Sequence, residues 1–139
     1  FEIELCEDSR QVIAEAHASL VASGTVSLEH ALVGTPCVVV YKFSQASYWL
    51  ARWLVLKKLQ ENCHGFMALP NILAKKEICP ELLQARATVR NATKEMHALL
   101  TDEEHHTSMQ QAFKSIHSQL VSEKNTFSLV VDEILRGPK

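Results

Sequence analysis

Two groups of residues in this 139-residue chain have types and spacing suited to work on a bound ligand. The first is Ser23-Gly24-Thr25 with Glu29, inside the stretch LVASGTVSLEHALVGTPCVVVY at residues 20–41. The turn follows a strand-like apolar run and opens a helix-like one, so a strand's carboxyl end meets a helix's amino end there. In open parallel sheets that edge is where ligands bind. Free backbone N–H groups and two hydroxyls suit a phosphate or diphosphate, and Gly24 allows the ligand close to the backbone. The same turn also serves as an ordinary helix cap. Glu29 stands four residues after Thr25, about one helical turn on, near the same mouth. A carboxylate gives a phosphate no help, but it accepts hydrogen bonds from a ribose diol, as acidic residues do in dinucleotide sites. The competing assignment is a solvated glutamate favoured by the helix dipole. An anion turn with a diol acceptor points to a nucleotide-sugar diphosphate.

The second group lies in ALPNILAKKEICPELLQ, residues 68–84. Asn71 offers both donor and acceptor, and its structural alternative is an Asx turn after Pro70. Lys75, Lys76 and Glu77 read as exposed, and the two lysines could help neutralise a phosphate. A third stretch, YWLARWLVLKKL at residues 48–59, places Trp49, Trp53 and Leu56 on one helical face with Arg52, Lys57 and Lys58 nearby. Such a helix suits a membrane interface, or an apolar contact with a partner domain or subunit. Of the seven histidines only His105 and His106 are adjacent, and neighbours in a helix point apart, so no metal and no other cofactor is called for. No Ser/His/Asp or Cys/His arrangement follows from the spacing, and no hydrolytic machinery is expected.

The elements that must position these groups alternate. Residues 3–6 read as a strand, 9–17 as a helix with Val12, Ile13 and Ala16 on one face, and 18–22 as a strand. Residues 26–33 form a helix with Leu28, Ala31 and Leu32 inward, stopped at Gly34. CVVVY at 37–41 lacks polar alternation and reads as a strand buried on both faces of a parallel sheet. A short strand at 66–69, a brief helix at 79–84 begun by Pro80, and helices at 88–100, 103–122 and 126–135 complete the pattern. The fold class is therefore α/β, with a parallel sheet first and a helical tail after it. The expected division is residues 1–102 for the α/β part and 103–139 for the tail.

Composition narrows the function further. Net charge is −2 and charged residues make up 22%, so no basic field calls for nucleic acid. The four cysteines, Cys6, Cys37, Cys63 and Cys79, are far apart, and two lie in apolar runs that look buried, as suits reduced thiols in a cytosolic setting. No apolar run reaches membrane-spanning length. The opening FEIEL has neither an initiator methionine nor a signal-peptide pattern, and the chain reads as a piece of a longer protein.

SGTVSLEHALVGTPCVVVYKFSQASYWLARWLV followed by LPNILAKKEICPELLQ closely resembles the C-terminal half of the lipid-A-disaccharide synthase family. Its members carry S-G-T-x-x-L-E, a T/C-P-x-V-V-x-Y strand, a Y/F-W-L-A helix, and L-P-N-[IL]-L-A leading to P-E-L-L-Q. The resemblance is strong over residues 18–84 and looser through the tail. It implies a Rossmann-like, three-layer C-terminal half of a GT-B glycosyltransferase, facing a second such half across a cleft. The implied reaction is an inverting transfer of 2,3-diacylglucosamine from UDP-2,3-diacylglucosamine to 2,3-diacylglucosamine 1-phosphate (lipid X), giving the β(1→6) disaccharide 1-phosphate and UDP.

Carried over by position, Ser23, Gly24 and Thr25 hold the UDP diphosphate, Glu29 the ribose, and Asn71 the donor near its diphosphate or sugar. Gln84 is a further UDP-sugar candidate. The catalytic base and acceptor contacts are expected on the missing N-terminal half. Trp49 and Trp53 become candidates for lipid or membrane contact at the cytoplasmic face of the inner membrane. Homo-oligomer formation is left open. Two departures stand out: Lys75 occupies a position where many members have glycine, and residues 60–65 look like a local insertion. The alternative function is a non-catalytic α/β module docking a partner through the 48–59 helix.

Overall fold

The computed structural model describes residues 5–6, 9–22, 25–42 and 65–136; the side chains of Ser9 and of residues beyond 122 lie outside that description. Ser23, Gly24 and the whole of 43–64, with Trp49 and Trp53, therefore fall outside it, as do most of the strand expected at 3–6 and the insertion expected at 60–65. Leu5 and Cys6 are not in a strand.

The described elements run α1 (Ser9–Glu15), β1 (Ser19–Ala22), α2 (Thr25–Val33), β2 (Cys37–Tyr41), α3 (Leu69–Ala74), β3 (Glu81–Leu83), α4 (Val89–Thr101) and α5 (Glu103–Arg136). The strands form a parallel sheet in the order β1-β2-β3, with Val21 opposite Val39 and Val39 opposite Glu81. Successive side chains on a strand point to opposite faces, so Val38 and Val39 lie on different sides of the sheet. Both are fully buried, which means that helices cover both faces of the central strand. On the Leu20 and Val38 side, α4 packs along β1 and β2. On the Val39 and Glu81 side stand α2 and α3, which touch each other and α5. This layering is Rossmann-like, as the unbroken apolar run of β2 implies.

Local chemistry explains most boundaries. Gly34 ends α2 with φ +93°, the left-handed stop expected of it. Thr35 donates its hydroxyl to the Ile13 carbonyl at 2.7 Å, tying α1 to the entry of β2. Thr88 caps α4 by accepting the Asn91 N–H at 3.2 Å, and Asp102, between α4 and α5, accepts the His105 N–H at 3.0 Å.

Several expectations need correction. Val12 is 44% exposed, leaving Ile13 as the buried residue of α1. On α2 the buried stripe is Ser27, His30 and Ala31, while Leu32 is 43% exposed. Positions 27, 30 and 31 share one face at helical spacing, and hydrophobicity alone selected a stripe rotated from it. Residues 66–69 do not form a strand; the chain there enters α3, with Pro70 in its first turn. Residues 81–83 form a strand instead of the expected helix, because β2 offers them a ladder: the Val39 N–H donates to the Pro80 carbonyl at 2.9 Å, and β3 pairs onward from there. The two tail helices are one, and Met109, Phe113 and Ile116 of α5 are buried in the same core as Val38 and Val39.

The joint between α3 and β3 is built on polar groups. Glu81 is 5% exposed, and its carboxylate accepts the N–H groups of Met67 and Ala68, both at 2.9 Å, at the amino end of α3. Asn71, with no exposed surface, donates its amide to Glu81 Oε1 and to the Cys79 carbonyl, both at 2.8 Å. Its Oδ1 accepts the N–H groups of Ile78 at 2.8 Å and Cys79 at 3.0 Å, and the Cys79 thiol at 3.4 Å. One side chain thus closes the loop between helix and strand.

Lys75 ends α3 with φ +54° and ψ +24°, a left-handed conformation that favours glycine. Lys75→Gly is expected to raise stability by about 1 kcal/mol, read as the urea midpoint at unchanged slope. Asn71→Ala leaves two backbone N–H groups and a carbonyl buried without partners, and should lower stability by roughly 3–5 kcal/mol in the same measurement. A loss below about 1 kcal/mol would show that water or a rearranged loop replaces the amide.

Candidate functional site

All three strands run the same way, so their carboxyl ends, Ala22, Tyr41 and Leu83, form one edge of the sheet. Thr25 begins α2 just beyond β1 and is exposed, at the amino end of the helix. Glu29 is exposed one turn further along α2 and makes no ion pair or side-chain hydrogen bond among the described residues. Gln84 follows β3 at the same edge. With strands spaced about 4.8 Å apart, the ends of β1 and β3 are separated by roughly 10 Å across β2.

Asn71 is elsewhere. It lies behind the Val39 face near the start of β3, and both its amide hydrogens and its oxygen are taken by protein groups. In this arrangement its amide and its oxygen hold the loop between α3 and β3. Lys75, Lys76 and Glu77 are exposed, as expected.

Gln84 has two unusual properties. Its backbone adopts φ +50°, a left-handed conformation that costs a non-glycine residue about 1–3 kcal/mol. Its Nε2 is buried and has no hydrogen-bond partner among the described residues. The turn it begins is otherwise well bonded: its carbonyl accepts the Ala87 N–H at 3.1 Å, and Asn91 Nδ2 donates to the Arg86 carbonyl at 2.9 Å.

Other polar groups have structural duties. Cys37 and Cys79 are fully buried free thiols; the hydrogen bond with Cys37, then burial, pushes the Cys79 thiol well above the usual range and keeps it neutral. His106 stacks on His17 with ring centroids 4.3 Å apart and donates through Nε2 to the His17 carbonyl at 3.0 Å, pinning α5 to the start of β1. An apolar groove of about 420 Å³, lined by Leu20, Val89, Met96 and Leu100 among others, lies on the α4 side of the sheet.

Among the described residues no group of three or more His, Cys, Asp or Glu could hold a metal ion. Among the described residues at the carboxyl edge, Thr25, Glu29 and Gln84 form no nucleophile–base pair. Sequence reasoning missed Glu81. The signal was a lone carboxylate opening an apolar strand directly after Cys79-Pro80, ten residues beyond an asparagine that could meet it.

No described helix is long and apolar enough to cross a membrane. Residues 2–131 match the family described as lipid-A-disaccharide synthetase. Among curated relatives, a lipid-A-disaccharide synthase of Nitrosococcus oceani is 41% identical over 112 residues, which is 81% of this chain and 27% of the relative. Those of Francisella philomiragia and Dechloromonas aromatica are 39% and 37% identical, over 86% and 81% of this chain and 30% and 28% of their own lengths. The chain thus spans under a third of the relatives it matches. With that match covering its sheet and most of its helices, the chain belongs to the lipid-A-disaccharide synthase family, a family of glycosyltransferases with Rossmann-like architecture.

Proposed function

We propose that this chain is the donor-binding, C-terminal portion of a longer lipid-A-disaccharide synthase. In the whole enzyme, 2,3-diacylglucosamine passes from UDP-2,3-diacylglucosamine to lipid X with inversion, forming the β(1→6) disaccharide 1-phosphate and releasing UDP. The observation that carries this reading is the placement of Thr25 and Glu29 on α2, at the carboxyl edge of a parallel sheet, in a chain of this family.

In the proposed site the diphosphate sits at the amino end of α2, held by its free N–H groups and by the Ser23 and Thr25 hydroxyls, with Gly24 allowing close approach. Those donors favour the charge that gathers on UDP as it departs, so they assist the leaving group without forming a covalent bond to the sugar. Glu29 accepts from the ribose hydroxyls. Asn71 and Glu81 hold the loop that fixes β3, and so place Gln84. The base that deprotonates the acceptor belongs to the missing N-terminal half. Residues 1–102 supply the donor-binding unit, and 103–139 its helical extension.

Long acyl chains on both substrates favour work at the cytoplasmic face of the inner membrane, with Trp49 and Trp53 as the lipid-contacting residues. The docking-module alternative has no comparable support.

Glu29→Ala in the full-length protein is expected to weaken UDP binding by roughly 1–3 kcal/mol, measured by titration calorimetry. A dissociation constant equal to that of the unaltered protein would remove Glu29 from the site. Absence of any UDP binding by the unaltered protein would overturn the donor-half reading altogether.

A further inference from the structure

The sheet has one side that is open and lacks the protection of a natural edge. β1 ends the order β1-β2-β3, and no strand lies on its outer side among the described residues. Edges that stay exposed are blunted by charge, proline or a bulge, and Ser19-Leu20-Val21-Ala22 carries neither charge nor proline. Parallel sheets are covered on both faces. On the α4 side that cover stops at β1: Val38 has no exposed surface, while Leu20, its partner in the ladder, is 54% exposed.

Leu20 lines the groove of about 420 Å³ together with α4. Val89, Ala92, Met96 and Leu100 recur along that wall at helical spacing, the kind of stripe one helix turns toward another. Val89 is 84% exposed and Leu100 55%. An apolar strip beside an unprotected sheet edge marks a contact surface. Its extent selects the partner. Three partly exposed side chains fall well short of the roughly 800 Å² per partner that a stable dimer buries, so a second copy gains little here. A segment of the same polypeptide needs less, because its tether holds it close. The three relatives named above leave room for one, since the chain covers between 27% and 30% of their lengths.

We propose that the groove and the outer edge of β1 are a seam inside the donor-binding domain. In the whole protein it is closed by that protein's own chain outside these 139 residues, which lays a strand along β1 and an apolar helix face against α4. The inference rests on the reading of the chain as one portion of a longer synthase. Its consequence falls on the ligand edge. The helix joined to the added strand stands on the Val38 side, whereas α2, which follows β1, stands on the Val39 side. Connections then leave the two neighbouring strands on opposite faces, and in open α/β sheets the crevice at such a switch point takes the ligand. The seam thus makes the carboxyl end of β1, where α2 begins, a crevice with two walls, and the sheet beneath it is completed from outside residues 1–102.

The test uses full-length protein with Val89→Cys or Leu100→Cys in the groove, and Lys94→Cys, whose native side chain is 80% exposed, as the reference on the same helix. Labelling by a maleimide is followed above the background of the unaltered protein. Both groove variants should label about tenfold or more slowly than Lys94→Cys, and all three fully after denaturation. A benzophenone-bearing residue in place of Val89 should cross-link, on irradiation, to a peptide of the same polypeptide outside these 139 residues. Equal labelling rates would show an open groove. A cross-link to residues 43–64, a cross-link between two copies, or protection that appears only with anionic vesicles would give the groove another occupant. Each of these results overturns the inference. UDP binding by the unaltered protein, measured beside them, tests the donor-half reading separately: a protein that binds UDP while its groove labels freely loses the seam alone.

Discussion

A carboxylate in a protein interior is unstable unless its lost hydration is replaced. Glu81 sits in that position, and what replaces water is the amino end of α3 together with the Asn71 amide. The arrangement works in both directions. The helix terminus gains an acceptor for N–H groups that have none within the helix, and the carboxylate gains three donors. Because Glu81 is also the first residue of β3, satisfying it brings the third strand into register with Val39. Breaking either partner would leave a buried charge or a set of buried N–H groups exposed to nothing, which is why this joint is stiff although it contains few apolar atoms.

The described polar residues around the sheet differ in how fully protein groups bond them. Those behind the sheet are saturated: Asn71 uses all its hydrogen-bonding capacity, Thr35 reaches the Ile13 carbonyl, and the buried thiols bond each other or Asn71. Those at the carboxyl edge are not: Glu29 is unpaired among the described residues, and Gln84 holds an unused donor. His105 Nε2 on α5 is likewise buried without a partner among the described residues, so open polar atoms are not confined to that edge.

How much of this was legible depended on whether the deciding force was local. The run CVVVY reads as a strand covered on both sides and Gly34 as a helix stop from local sequence, and both hold. The sequence around ELL reads as a helix start because Pro80 favours a first turn, yet the open ladder of β2 lies forty residues away and overrides that preference. Likewise the inward face of α2 is set by contact with α3 and α5, so a serine and a histidine go inside while Leu32 stays out. Asn71 was singled out for its dual hydrogen-bonding character, and in this structure that character is used on Glu81 and on the backbone at Ile78 and Cys79. Nothing local distinguishes an amide that meets a ligand from one that meets its own loop.

The sheet is finished by residues that come late in the chain. Phe113 and Ile116 of α5 complete the cover over a core that includes Val39, yet Phe113 leaves the ribosome 74 residues after it. At ordinary elongation rates that is an interval of about 4–15 s. During it, the apolar surface of β2 has been synthesised but its last helix has not, and a chain in that state is exposed to association with other nascent chains. The long C-terminal helix is therefore a timing element as well as a packing one: the sheet cannot be sealed until translation has passed well beyond it.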